Sequence, residues 1–276
     1  MELLLIRHAL PTTVDNRDTG READPDLSNL GRRQAAALAD WLCTSPTAEP
    51  VDAVYASPKA RAVQTVAPLA ERLGLEVAIE PLVNEYDAGE PEYVPMERLR
   101  ALGDPRWGAI MAGEDLDDPE SFRDQVVVGM ERIIAANPGR TVAVGCHGGV
   151  VSAYLSHVLG TDRVMFFEAR YTAISRVAAS SSGHRSLRSV NELGHLRLAG
   201  IPLSAVCADR VTGPRRSAGQ VGQVPEVVQG RRVGQGLEVG DLSTLDHSPD
   251  GQLYQLPGAG SGQFWNLHDH RRDMPG

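Results

Sequence analysis

Glu2-Leu3-Leu4-Leu5-Ile6-Arg7-His8-Ala9 opens the chain. Its apolar run has strand character, and it delivers an arginine and a histidine to the end of a buried strand. In open α/β sheets the crevice outside the strand carboxyl ends is where ligands bind. A histidine there can act as a nucleophile, and an arginine beside it can hold an anion. The dipeptide alone is common, so its weight depends on the other segments of the chain.

Working outward, residues 1–205 alternate strand and helix patterns. Strands are expected at 2–6, 51–55, 75–79, 141–146, 164–168, 173–178 and near 187–190. Leu27-Ser28-Asn29-Leu30-Gly31-Arg32 opens a helix that runs through Gln34, Leu38, Trp41 and Leu42. Ser57-Pro58 reads as a helix start, with serine as cap and proline at the first helical position. Helices are also expected over 120–136 and 149–159, and 80–118 reads as irregular. Strands alternating with helices predict a three-layer α/β/α fold with a mainly parallel central sheet.

The composition bounds the function. The chain has 276 residues and a net charge of −9, and no basic stretch offsets that sign, which argues against a nucleic-acid binder. A local arginine pocket can still oppose the global charge and hold an anionic substrate. No apolar run reaches the roughly 20 residues of a membrane helix, and Met1 leads straight into the first strand, so a cytoplasmic location is expected. Cys43, Cys146 and Cys207 are too scattered for a disulfide framework or a metal signature. The oligomeric state is left open, homodimer included.

After about residue 205 the apolar periodicity ends. Seven of ten glutamines and twelve of 28 glycines fall in 206–276. Such a segment buries too little surface to offset its ordering entropy, so a disordered or loosely attached tail is expected. His268-Asp269-His270 within it offers two imidazoles without partners, and it reads as solvated tail rather than a metal site.

Three further segments carry chemistry. Ser57-Pro58-Lys59-Ala60-Arg61-Ala62-Val63-Gln64-Thr65 places Arg61 in the first turn of a helix that starts at a strand end. Taken alone it is an exposed helix arginine; taken with Arg7 and His8 it joins the same sheet edge. In Cys146-His147-Gly148-Gly149 a strand ends in a histidine, and two glycines open the next helix, where backbone N–H groups favour an anion. Cys146 reads as a buried strand residue, not a nucleophile. Val83-Asn84-Glu85-Tyr86-Asp87-Ala88-Gly89-Glu90 crowds acids into a loop that is either solvated or folded over the sheet edge.

Together these segments resemble the histidine phosphatase (phosphoglycerate mutase-like) superfamily over roughly residues 1–200. The family's Arg-His-Gly signature is similar to Arg7-His8-Ala9, and its Leu-Thr-x-x-Gly-x-x-Gln-Ala element to Leu27 through Ala35. Its Ser-Pro-x-x-Arg-Ala-x-Gln-Thr element is matched at 57–65, its Leu-x-Glu-x-x-x-Gly-Glu element at 83–90, and its His-Gly-Gly at 147–149. Asn191-Glu192-Leu193-Gly194-His195-Leu196 is similar to the segment ending the family's last strand. The resemblance implies a phosphatase, needing neither metal nor cofactor, acting on a small phosphorylated metabolite. It implies that His8 attacks phosphorus as a neutral imidazole, its other ring nitrogen held by a backbone carbonyl. Arg7, Arg61, His147 and the helix start at Gly148 would bind the phosphoryl oxygens, whose charge several fixed donors serve best. Glu85 would serve as acid and then base, its pKa raised by neighbouring carboxylates.

Ala9 departs from the usual glycine and is tolerable if its backbone is not left-handed. Leu10-Pro11-Thr12-Thr13 lacks the polar residue and asparagine expected of mutases, and the segment between Glu85 and His147 is short for one. Both departures favour a phosphatase over the alternatives, a phosphoglycerate-type mutase or a non-catalytic phospho-ligand binding module. Specificity is expected from Pro11–Asp26 and residues 86–118, where Arg98, Arg100 and Arg106 read either as a second anion site or as exposed arginines. A P-loop enzyme is excluded, since no Gly-x-x-x-x-Gly-Lys-[Ser/Thr] occurs.

Overall fold

The computed structural model describes residues 1–44, 50–112, 114 and 117–203. The expected tail at 206–276, His268-Asp269-His270 and Cys207 lie outside these residues. In chain order the elements are β1 (Glu2–Arg7), β2 (Val14–Asp15), α1 (Asn29–Thr44), β3 (Ala53–Ala56), α2 (Ala60–Leu73) and β4 (Val77–Ile79). A 3₁₀ turn at Pro81–Val83 precedes β5 (Glu92–Tyr93), α3 (Met96–Leu102), α4 (Pro105–Ala112) and α5 (Pro119–Ala136). The series ends with β6 (Thr141–Cys146), α6 (Gly148–Leu159), β7 (Ile174–Ala179), β8 (Arg185–Glu192) and α7 (Gly194–Leu198).

The main sheet runs in the order β4-β3-β6-β1-β7-β8. The first four strands are mutually parallel, whereas β7 runs antiparallel to β1 and β8 antiparallel to β7. Strand alternation puts successive side chains of β1 on opposite faces. Leu3 and Leu5 join Met130, Ile133, Val150 and Tyr154 of α5 and α6. Leu4 and Ile6 join Leu38, Leu42, Val66 and Leu69 of α1 and α2. A strand covered on both faces is apolar between its ends, and all of β1 is buried, with Leu3–Ile6 apolar between Glu2 and Arg7. The three-layer α/β/α arrangement with a mainly parallel sheet follows.

Several local expectations are corrected. The helix expected at Ser57-Pro58 begins at Ala60, and its first N–H is capped from afar, by both carboxylate oxygens of Asp24 at 2.9 and 3.1 Å. Ser57 is instead turned towards His147. No strand forms at 164–168. There the chain is tied down by side chains: Ser152 Oγ donates to the Val164 carbonyl at 2.8 Å and accepts from Phe166 N at 3.0 Å. The stretch 80–118, expected to be irregular, holds two short helices, α3 and α4. Two turns are too brief for helical periodicity to register in the sequence.

Polar residues of the sequence elements tether the chain just past His8. Ala9 N–H donates to Thr65 Oγ1 at 2.8 Å, and Leu10 N–H donates to Gln34 Oε1 at 2.9 Å. Gln64 Oε1 accepts from Leu27 N at 2.9 Å. Gly31 lets α1 press against this segment, for a Cβ there would sit 2.1 Å from the Leu10 carbonyl oxygen. Ala9 is fully buried among Leu27 and Ala35, and its backbone is not left-handed, so the methyl in place of glycine is accommodated. Among the described residues no helix is long and apolar enough to cross a membrane.

Candidate active site

Parallel strands β1, β3 and β6 end at one edge of the sheet, and the three basic segments continue from those ends. A small cavity of about 80 Å³ opens there, lined by Arg7, His8, Arg61, Glu85, Gly148 and Gly149 among others. His147 does not line it directly, but its ring centroid is 5.2 Å from that of His8. All the site residues expected from the sequence therefore converge, although they are spread from residue 7 to residue 148 of the chain.

His8 is 2 % exposed, and its backbone N–H donates to the Cys146 carbonyl at 2.8 Å, which stitches the end of β1 to that of β6. Its Nδ1 lies 2.8 Å from the Ala9 carbonyl oxygen. A carbonyl can only accept, so Nδ1 carries the proton and Nε2 keeps its lone pair. Burial, then Arg61 and Arg7, hold the imidazole pKa well below its ordinary value, so the ring is neutral at neutral pH.

His147 is likewise driven well below its ordinary pKa by burial and by Arg61. Its Nε2 is 2.7 Å from Ser57 Oγ, while Nδ1 is buried with no hydrogen-bond partner. When Ser57 gives its proton to Nε2 rather than to Asn84 Oδ1, 3.4 Å away, Nδ1–H is a donor for an incoming oxygen.

The two arginines are both buried. Arg61 stacks over the Tyr93 ring at 4.5 Å and pairs with Asp87 at 3.6 Å, yet its Nε and Nη1 make no hydrogen bond. Arg7 lies over the Tyr171 ring at 4.0 Å, and its Nη1 donates to the Ala169 carbonyl at 2.6 Å and to Glu97 Oε1 at 3.2 Å. Buried guanidinium N–H groups without acceptors are costly, and an anion in the cavity would satisfy them.

Glu85 accepts hydrogen bonds from Gly149 N at 3.1 Å and from Tyr86 N at 3.3 Å. These bonds favour the carboxylate, but burial and, after it, the charge of Asp87 win, and the pKa rises to about 7. Of the neighbouring acids Asp87 contributes, and burial is the larger cause. Gly149 is required by this approach, because a Cβ there would lie 2.3 Å from Glu85 Oε1. Cys146 is fully buried in β6 and its thiol is pushed far up by burial, as suits a strand residue and not a nucleophile.

A second, wider cleft of about 810 Å³ shares Glu85, Tyr86, Asp87 and Tyr93 with the small cavity. It is the larger void, but His8, Arg7 and Arg61 line the small one, which is therefore the candidate site. Arg98, Arg100 and Arg106, open to either reading in the sequence, are engaged by protein groups. Arg106 reaches Asp104 at 2.9 Å and Glu92 at 2.8 Å. Arg100 faces Glu168 at 3.7 Å and the Trp107 ring at 5.4 Å, and Arg98 donates to Thr13 Oγ1 at 3.1 Å. Among the described residues, no group of three or more His, Cys, Asp or Glu side chains is arranged to hold a metal ion.

Several site residues leave no mark in the sequence. Ser57 reads there as a helix cap; Asp24, Tyr93 and Glu97 fall in the segments expected to set specificity but nothing singles them out, and Tyr171 carries no signal, because each acts on a partner far away in the chain. The loop bearing Tyr171 is also strained: Thr172, buried and β-branched, has φ of +55°. It is held there by Thr172 N donating to the Arg7 carbonyl at 3.0 Å and by Thr172 Oγ1 lying 2.9 Å from His195 Nε2.

The sequence profile of the histidine phosphatase superfamily, branch 1, matches residues 3–192, and the chain belongs to that family. A bifunctional protein of Mycobacterium tuberculosis is 29% identical over 205 residues, which cover 70% of this chain and 54% of that one. The chain thus spans about half the length of these mycobacterial relatives. Phosphoserine phosphatase 1 of Hydrogenobacter thermophilus is 30% identical over 179 residues, 60% of this chain and 80% of that protein. In fold, the chain is similar to phosphoserine phosphatase from Entamoeba histolytica (TM-score 0.55, 23% identity, covering 71% and 98% of the two chains). It is also similar to mycobacterial glucosyl-3-phosphoglycerate phosphatase (TM-score 0.56, 18% identity, covering 70% and 99%).

Proposed function

We propose that the protein is a phosphomonoesterase that works through a phosphohistidine on His8, without a metal ion. The observation that carries this reading is the state of His8: a neutral imidazole, its Nδ1–H committed to the Ala9 carbonyl, in a cavity walled by Arg7, Arg61 and Glu85. Nε2 attacks phosphorus in line, and the P–O bond to the alcohol breaks. Glu85, protonated, gives its proton to the leaving oxygen. The resulting carboxylate then takes a proton from water as that water cleaves the P–N bond, releasing phosphate and restoring both residues. Arg7, Arg61 and His147 Nδ1–H supply fixed positive charge and donors to the equatorial oxygens, where the transition-state charge sits. The α6 N-terminus at Gly148 adds its dipole.

The test is hydrolysis of an aryl phosphate in excess EDTA. Turnover accompanied by an acid-labile phosphoprotein supports the proposal; phosphate binding with no turnover sinks it in favour of a binding module, and isomerisation of phosphoglycerate favours the mutase.

Glu85→Gln is expected to hurt alkyl phosphates far more than aryl phosphates, by about 10²-fold or more, because only a poor leaving group needs the proton. The pH dependence has a definite sign. With a pKa near 7 the acid form is present below that value and is lost above it. For alkyl phosphates kcat/KM should therefore fall as pH rises through about 7, and aryl phosphates should lack this limb. Equal losses with both substrate types would remove Glu85 from the acid role.

The wide cleft constrains the alcohol half of the substrate. Its walls include Glu85, Asp87, Glu90, Glu92, Asp117 and Asp118, and Arg106 is already held by two carboxylates. A carboxylate or second phosphate on the substrate would meet like charge there. Phosphomonoesters with a neutral or cationic alcohol should exceed 3-phosphoglycerate in kcat/KM by about tenfold or more. A preference for 3-phosphoglycerate would overturn this.

A further inference from the structure

Glu97 is a residue that no sequence element marks, and it contacts the phosphoryl-binding machinery from outside. It sits in the first turn of α3, next to Met96, which lines the small cavity, but Glu97 itself does not line it. Its carboxylate pairs with Arg7 Nη1 at 3.2 Å, across 90 positions of sequence, and its side chain is 13% exposed. Arg7 is thereby gripped on three sides: Glu97 and the Ala169 carbonyl on Nη1, and the Tyr171 ring beneath its plane. Its Nε is left without a hydrogen-bond partner. That atom lies 3.5 Å from the place a Cβ on Gly148 would occupy, beside the helix start that lines the cavity. The grip thus acts at the far end of the guanidinium and leaves the Nε edge beside the cavity.

We propose that Glu97 is a positioning residue: it fixes the Arg7 guanidinium so that its unpartnered edge meets the phosphoryl group, and in doing so it ties α3 over the cavity. The proposal rests on the phosphate-binding role of Arg7 in the proposed function. Two physical points support it. An arginine side chain has many rotamers, and Glu97, with the Ala169 carbonyl and the Tyr171 ring, holds one of them before the anion arrives, so less ordering is left for binding. Burial also opposes the Arg7 charge, and Glu97 is the largest of the groups that restore it. The other charged residues of α3 hold the same helix at different points, Arg98 to Thr13 and Arg100 to Glu168, so loss of Glu97 alone leaves α3 attached.

The test is a double-mutant cycle on Arg7→Ala and Glu97→Gln, with inorganic phosphate as the probe and its Kd read by calorimetry. Binding is measured directly, so the result is independent of whether the enzyme turns over; absent phosphate binding by the wild type would instead sink the proposed function. Glu97→Gln should weaken phosphate binding by about tenfold and should have little further effect once Arg7 is alanine. Glu97→Asp, which keeps the charge, should recover part of the loss and serves as the check if the glutamine variant is unstable. A glutamine variant that binds phosphate more tightly would mean Glu97 competes with the anion, and the proposal would fall. Equal losses in the wild-type and Arg7→Ala backgrounds would show that Glu97 does not act through Arg7, and would overturn it as well.

Discussion

His8→Ala is expected to lower turnover of any phosphomonoester by about 10⁴-fold or more, with no phosphoprotein formed. The size reflects the lack of a substitute. Cys146 is buried in β6 with its thiol pushed up, and His147 is engaged through Nε2 by Ser57. Alanine removes the imidazole at the end of β1 while leaving the backbone bond from residue 8 N–H to the Cys146 carbonyl intact. The variant should therefore fold, and phosphate affinity should persist, because Arg7 and Arg61 are unchanged. The measurement is aryl phosphate hydrolysis beside a phosphate titration. Wild-type rates in the variant would mean that another group carries the attack.

Arg61→Ala is expected to lower kcat/KM by about 10²–10³-fold, near 3 kcal/mol of transition-state stabilisation. Arg61 is 1 % exposed, and its Nε and Nη1 have no hydrogen-bond acceptor among the protein groups. Its removal also takes away the positive charge 3.6 Å from Asp87, so that carboxylate opposes an incoming dianion more strongly. A second signature accompanies the rate loss. Arg61 lowers the pKa of both His8 and Glu85. Without it both rise, so the acid limb, where His8 must be neutral, and the alkaline limb, where Glu85 must be protonated, should both move to higher pH. Arg61→Lys should recover only part of the rate, since an ammonium lacks the planar fork and does not stack on Tyr93 in the same way. An unchanged pH profile would remove Arg61 from the immediate surroundings of the two groups.

The legible part of this protein shares one property: each feature is encoded within a few neighbouring residues. The run before Arg7 and His8 is apolar because β1 is covered on both faces. Gly149 marks a backbone that must come close to something else, the Glu85 carboxylate. Gln34, Gln64 and Thr65 stand at helical positions in the family elements, and they prove to be the acceptors that hold Leu10, Leu27 and Ala9. Even the departure at Ala9 can be judged from local geometry, since only a left-handed backbone would forbid a methyl there.

Features that escape the sequence depend on partners distant in the chain. Asp24 caps α2 from 36 positions away, so Ser57-Pro58 looks like a complete local helix start although its serine is needed by His147. Residues 164–168 have strand composition, but hydrogen bonds to Ser152 tie them down in a loop. The helices α3 and α4 are too short to show a period, and Glu97 within them resembles any surface glutamate until its partner Arg7 is known.

The main strands and long helices, the layer arrangement and the set of residues that converge at the sheet edge are thus legible in the sequence. Periodicity and short motifs are local, and parallel strands leave their ends little choice of where to meet. Protonation states and the grip on the arginines arise instead from the folded chain. The raised pKa of Glu85 comes first from burial and then from Asp87, the neutrality of His8 from burial beside two cations, and the fixed pose of Arg7 from Glu97 and Tyr171. Each is an effect of what packs around a group, and spacing along the chain carries no measure of that.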